Sequence, residues 1–361
     1  MLYKLYDIVN MLQWILMKHF LRYFWISAAL TLILGGIIGW YGGVEALWLF
    51  VVLTILEITF SFDNAVVNSR VLARMSDFWQ KLFLTVGIFF AVFVVRFLLP
   101  VFIVMMIGGI SFNEVLNLAF HHPEKYAELL HSGMHSIDAF GGAFLLLIGL
   151  GYFFDREKDI HWLRIIEQTL SRAARLRHIH IYLMILLTIV LYFTVPRGYS
   201  LDVLVAAALG IVLHTLLAWT PKLFEPKTKD GVKKQVGMAA FASFIYLNIL
   251  DASFSLDGVI GAFAITTSVL LIVAGLGAGA LWVRSLTVQL VRAGTLGKYR
   301  YLEHGAHWAI LALGCIMLAK LYGFTPPEWA TGSIGLVAIL AAIISSIFEK
   351  RSASLRPENR A

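Results

Sequence analysis

The sequence predicts an all-α polytopic membrane protein of about ten transmembrane helices, and three observations predict it. The 361 residues are 60% hydrophobic and only 14% charged, whereas a soluble domain carries about 25% charged residues. Apolar runs of membrane-spanning length recur along the chain with short gaps. The basic residues fall almost entirely in every second gap. Together with a mean hydropathy of +0.81, these features exclude a soluble enzyme, a disordered chain and a coiled coil. The single cysteine, Cys315, excludes a disulfide framework, a thiolate metal cluster and a CxxC redox centre.

Residues 1–23 place Leu2, Leu5, Val9, Leu12 and Leu16 at helical spacing and read as an amphipathic segment on the inner membrane surface. No small-residue cleavage site follows the first apolar run, so no cleaved signal peptide is expected. Spans are predicted at 24–40, 44–67, 81–107, 138–154, 181–196, 201–219, 236–263, 268–290, 305–322 and 330–348. The stretch 109–137 between the third and fourth spans is too polar to cross and forms an outer excursion, carrying His121, His122, His131 and His135. These read as solvated loop histidines, with capture or release of a metal as the alternative. Of the 29 basic residues, all but Arg96, Lys125, Arg197, Arg284 and Lys320 lie before the first span, in alternate loops or in the tail. With ten spans these segments share one side, and the positive-inside rule puts that side and both termini in the cytoplasm. The net charge of +7 therefore points to a multi-pass protein of the inner membrane, with the lipid bilayer as its partner and no nucleic acid. The organisation is 1–23 interfacial segment, 24–154 first half, 155–235 basic loops with two linking helices, 236–322 second repeat, and 323–361 last helix with its tail.

An internal repeat dominates the functional reading. Residues 57–64 read EITFSFDN and residues 251–258 read DASFSLDG, with the second carboxylate six residues after the first in both copies. Arg96 lies mid-span in the next helix of the first copy, as Arg284 does in the second. Asp138 precedes Gly149 by eleven residues, as Glu303 precedes Gly314. The copies, 44–154 and 236–322, start five spans apart. An odd offset makes them run oppositely through the membrane, the pattern of secondary transporters whose site lies between the repeats.

Glu57, Asp63, Asp251 and Asp257 all fall inside apolar runs. Each uncompensated charge at mid-bilayer costs about 2.5–3.5 kcal/mol, so four cost roughly 10 kcal/mol without ions, protons or partners. Glu57, Ser61, Asn64 and Asn68 form one helical stripe, with Thr59 and Asp63 beside it. In the second copy the stripe is Asn248, Asp251, Ser255 and Gly258, with Ser253 and Asp257 beside it. Two such helices crossing antiparallel bring carboxylate, amide and hydroxyl oxygens together, and local unwinding at Gly258 and the serines would add backbone carbonyls. That donor set suits a hard cation such as Mn²⁺, Ca²⁺ or Mg²⁺. The alternative is that the acids only pair with Arg96 and Arg284 to hold helices together. Asp138 and Glu303, at span entrances, are further candidates for those arginine partners or for a metal or proton path. Among the other histidines, His307 beside Glu303 has the best case, while His178 and His180 look like ordinary cytoplasmic residues.

At EITFSFDNAVVNSRVL (57–72), LDASFSLDGVIGAFAIT (250–266) and YLEHGAHWAI (301–310) the sequence resembles the TerC family, within the LysE-type transporter group. The resemblance covers most of 44–322. It implies an inverted-repeat bundle that exports Mn²⁺, with Glu57, Asp63, Asn64, Asp251 and Asp257 as the metal ligands. Ser61, Asn68 and Ser255 stand beside them as additional candidates. Gly258 departs from the hydroxyl residue common at that place, which thins coordination there. Outward movement of a divalent cation against 100 mV costs about 4.6 kcal/mol, and no phosphate-binding GxxxxGK[ST] loop is present. Proton entry is the expected source of that work, making the protein a Mn²⁺/H⁺ antiporter with no organic cofactor and no enzymatic activity. Two other classes remain in view: a metal-binding accessory protein without turnover, and an intramembrane aspartyl enzyme, which the lack of a GxGD-type motif disfavours.

Overall fold

A computed structural model describes residues 2–224 and 234–354, apart from Glu157, Arg175 and Arg177. The side chains of 2–22, 220–224, 256, 257, 296, 328, 329 and 351–354 lie outside the described set. The expected interfacial face of the leading segment and the side chain of Asp257 therefore lie outside the described residues too, as does most of the basic loop before span seven.

Among the described residues thirteen helices of ten residues or more carry the fold. They are α1 (Leu2–Phe60), α2 (Phe62–Ala73), α3 (Asp77–Gly108), α4 (Phe112–His121), α5 (Pro123–Ser132), α6 (Met134–Phe153) and α7 (Arg164–Ala173). After them come α8 (Ile179–Thr194), α9 (Ser200–Phe224), α10 (Gly237–Phe263), α11 (Val269–Arg292), α12 (Leu302–Lys320) and α13 (Glu328–Ser354). Among the described residues there is no strand, only an isolated bridge between Met75 and Gln235. Among the described residues eight helices are long and apolar enough to cross a membrane. The first of these crosses twice. Gly43 adopts φ 73° and ψ −170° inside α1, a conformation open to glycine but strained for other residues. The chain folds back there, so that Gly35 and Gly39 lie against Leu47 and Phe50. With the two limbs of α1 counted separately and the shorter α8 added, the described residues hold ten apolar helical segments, at the places the apolar runs predict.

The basic segments meet at one end of the bundle. Lys234 bonds Asp77 across two loops, Arg70 pairs with Glu303 at 3.3 Å, and Arg300 with Glu349 at 3.0 Å. At the same end the carboxylate of Glu167, in α7, is fully buried. It accepts from Lys158 Nζ (3.2 Å), the Trp308 indole (3.1 Å) and the backbone amides of Trp162 and Leu163 (3.1 and 3.3 Å). Burial alone would raise this carboxyl; His304 and Lys158 outweigh it and hold it below the usual glutamate range. At the opposite end, α4 and α5 form the polar excursion between the third and fourth spans. Ser111 and Glu114 close a capping box on α4, and Val115, Tyr126 and Leu130 pack on Val259 and Phe263 of α10. The histidines there do not converge: His135 stacks on Tyr199 at 3.8 Å and His131 meets the Met134 sulfur.

α11 lies along the α1 hairpin. Ser27 on one limb bonds the Leu281 carbonyl and Ser285, while Thr54 on the other bonds the Gly275 carbonyl. A Cβ on Gly275 would lie 2.5 Å from Leu53 Cβ, and one on Gly279 would lie 2.5 Å from Glu57 Cβ. This small-xxx-small step brings two backbones close in the membrane and places Glu57 against α11.

Candidate functional site

The two motif helices cross antiparallel, as an inverted repeat requires. Asn64 Nδ2 donates to Asp251 Oδ1 at 2.8 Å. One turn or two further along, a Cβ on Gly258 would lie 3.6 Å from Glu57 Oε2. The register runs in opposite directions and continues to Met75 beside Gln235, where one motif helix ends and the other begins.

Within this crossing the arginines take partners by symmetry. Arg96 Nη2 bonds Glu57, whose Oε1 also accepts from Ser61 Oγ at 2.7 Å. Arg284 Nη2 bonds Asp251 Oδ2 at 3.1 Å and Asn248 Oδ1 at 3.2 Å. All four charged side chains are buried. The first acid of each repeat is thus compensated by the arginine of the same repeat, the pairing held open as an alternative to metal ligation. Glu303 does not fill that role: it pairs with Arg70 near the basic end. Asp138 is buried in α6.

Local backbone explains how Arg96 arrives. Residues Phe90–Leu98 within α3 form a π-helical stretch directly before Pro100. Pro100 supplies no N–H to the carbonyl four residues back, which is that of Arg96, and its ring crowds it. A wider turn relieves that crowding, and Arg96 Nη1 donates to the Ala91 carbonyl at 2.7 Å. π-Helical turns of this kind cluster at functional sites.

The helix carrying the first motif breaks at Ser61, with φ −100° and ψ 15°. The second motif does not unwind: α10 runs unbroken through Gly258 to Phe263. The expectation of unwinding at Gly258 is therefore corrected. Gly258 leaves the helix hydrogen bonds in place, and a Cβ there would meet only Glu57 Oε2, at an ordinary contact distance of 3.6 Å.

Polar oxygens remain without partners in the crossing. Asn64 Oδ1, Asn68 Oδ1 and Ser255 Oγ are buried and make no hydrogen bond. Asp63 stands apart from the arginines. It is buried, its Oδ1 accepts from the Asn64 amide at 2.9 Å, and it lines a cavity of about 30 Å³ with Phe60, Gly258, Gly335 and Thr331. Thr331 Oγ1, on α13, is also buried without a partner. A space of that size holds about two water-sized occupants. Thr331 was not legible as a site residue, because α13 lies outside both repeats and nothing in its sequence ties it to Asp63. Asn248, already part of the second stripe, turns out to hold Arg284. His307 stacks on Tyr152 at 3.7 Å and contacts the Glu303 carbonyl, away from the crossing. Among the described residues no group of three or more His, Cys, Asp or Glu converges as a metal cluster.

These features define a multi-pass α-helical membrane protein whose two halves present matched acid–arginine pairs to each other. The chain belongs to the family described as "Protein of unknown function (DUF475)", which it matches over residues 62–353. No curated protein and no solved structure matches it.

Proposed function

We propose that this protein is a secondary transporter that exports a divalent metal cation, most concretely Mn²⁺, in exchange for protons. The observation that carries the reading is the antiparallel crossing of the two acidic motifs, with buried, unpartnered oxygens on Asn64, Asn68 and Ser255 of the two crossing helices. Buried polar groups are ordinarily satisfied; a row of unsatisfied oxygens in a membrane interior suits a cargo that brings positive charge.

Arginine pairing refines the roles. Glu57 and Asp251 are compensated by Arg96 and Arg284, so they orient Ser61 and Asn64 and leave the net negative charge to the second acids, Asp63 and Asp257. Two such carboxylates match one divalent cation. They also hold one proton each once the metal leaves, so exchange of two protons for one Mn²⁺ is electroneutral. The TerC-like motifs at 57–72 and 250–266 support the same cargo, with Ca²⁺ as the competing hard cation.

The test is Mn²⁺ accumulation in everted membrane vesicles under an imposed pH gradient. Native protein is expected to accumulate Mn²⁺ only with the gradient, and Asp63→Asn and Asp257→Asn to abolish it. Metal binding with no gradient-dependent movement would overturn transport in favour of an accessory metal-binding protein.

A further inference from the structure

We infer that the basic end of the bundle holds a binding site for a small oxyanion, a carboxylate or phosphate group, separate from the acidic crossing. A cavity of about 360 Å³ opens there among α2, α6, α9, α10 and α12. That volume lies within the range of small-molecule sites. Among the described residues its lining contains no Asp or Glu. It contains Arg70 in the last turn of α2 and Arg74 at its C-terminal cap, with His214, His307, Tyr246 and Ser243 around them.

The charge balance decides which ligand fits. Glu303, outside the lining, engages Arg70 at 3.3 Å, and among the described residues no carboxylate pairs with the exposed Arg74 guanidinium. A divalent cation is repelled from such a cavity. A carboxylate or phosphate meets a guanidinium whose fork matches two of its oxygens. His214 also lines the cavity and can offer a ring nitrogen to the ligand, while its Nδ1 is buried without a hydrogen-bond partner. The helix α10 begins at Gly237, next to the lining residue Gln235, with no side chain capping its first amides. Its positive end favours negative charge nearby. Val67, Ile148 and Leu217 line the remaining wall, so the ligand has an apolar body as well as a charged head.

Two sources present that chemistry: a soluble organic anion and the phosphate of an anionic lipid headgroup. Purified protein in phosphatidylcholine nanodiscs, titrated calorimetrically with succinate and with inorganic phosphate, tests the first source. Mass spectrometry of protein taken from nanodiscs containing phosphatidylglycerol tests the second. Arg74→Gln is expected to weaken binding of the occupying species at least tenfold. Arg197→Gln, a basic residue at the far end, is expected to leave it unchanged. His214→Leu provides a second variant that keeps every charge and is expected to weaken binding less. Retention of phosphatidylglycerol that depends on Arg74, without succinate or phosphate binding, assigns the site to lipid. Binding that is absent for all three, or equal in native protein and Arg74→Gln, overturns the inference and leaves the Mn²⁺ reading untouched.

Discussion

The two copies of the acidic motif share a pairing rule but differ in what the arginine holds. Arg96 stays within its own repeat, bonding Glu57 and the Ala91 carbonyl. Arg284 reaches across. Besides Asp251 and Asn248 it donates to the Phe83 carbonyl at 3.0 Å, and its guanidinium lies 4.2 Å from the Phe83 ring, on α3 of the opposite repeat. The first pair is thus a brace inside one repeat, and the second is a joint between the two. If the halves rock against each other, as inverted-repeat transporters do, the Arg96 pair travels intact while the Phe83 contact of Arg284 must break and re-form.

The largest effect that can break this comparison is loss of the brace. Arg96→Met leaves Glu57 buried and uncompensated, and the expected cost is about 3–5 kcal/mol of stability. Adding Glu57→Gln should recover most of it, because two neutral groups replace an orphaned charge. Thermal unfolding of the single and double variants in detergent reads both numbers. At the joint, Phe83→Leu keeps the carbonyl that Arg284 uses but removes the ring. That variant is expected to lose under about 2 kcal/mol, the scale of a desolvated cation–π contact, while altering turnover in the vesicle assay more than folding. A turnover change at Arg96 equal to that at Arg284 would erase the distinction between brace and joint.

A second effect tests the close contact that seats the brace. Gly279→Val places a Cβ 2.5 Å from Glu57 Cβ, and overpacking of this kind costs about 1–3 kcal/mol. The same change at Gly297, where a Cβ meets nothing within 4 Å, is the control and should cost much less.

How much of this was legible in the sequence follows from the range of each contact. Apolar runs are local, so the spans were readable, and the fold-back at Gly43 falls in the gap between the first two runs. The repeat is a comparison of the chain with itself, so Arg96 and Arg284 surfaced as matched charges. Their partners were not decidable: Asp138 and Glu303 competed with the motif acids, and only the register of α3 and α11 against the motif helices separates them. Glu303 instead reaches Arg70, a choice set by how α12 meets α2. Thr331 stayed hidden because a threonine in an apolar helix carries no pattern of its own. Glu167 stayed hidden because its partners at Lys158, His304 and Trp308 converge only once α7 folds under α12.

Thr331 supplies a finer test of the cavity beside Asp63. Its buried hydroxyl makes no hydrogen bond, and an unsatisfied polar group costs about 1–3 kcal/mol. Thr331→Val keeps the shape and removes that cost, so the variant is expected to be as stable as native protein or slightly more so. If the hydroxyl serves the cargo, Mn²⁺ affinity should fall several-fold at the same time. A gain in stability with unchanged affinity would restrict the cargo path to the crossing itself.

The smallest expected effect concerns the opposite kind of burial, a carboxylate with every need met. Glu167 sits below the usual glutamate range because His304, Lys158 and the Trp308 indole outweigh its burial. A group whose folded pKa is depressed contributes stability above its unfolded value, about 4.3, and loses it as pH falls through the folded value. Native protein and Glu167→Gln should therefore differ at pH 6 and converge as the pH drops below 4. Because Glu167 ties α7 to the first turns of α12, the native protein's extra protection should appear as slower proteolysis within 155–174 at pH 6. Equal proteolysis of the two proteins at pH 6 would mean that the backbone and indole contacts hold this loop without the charge.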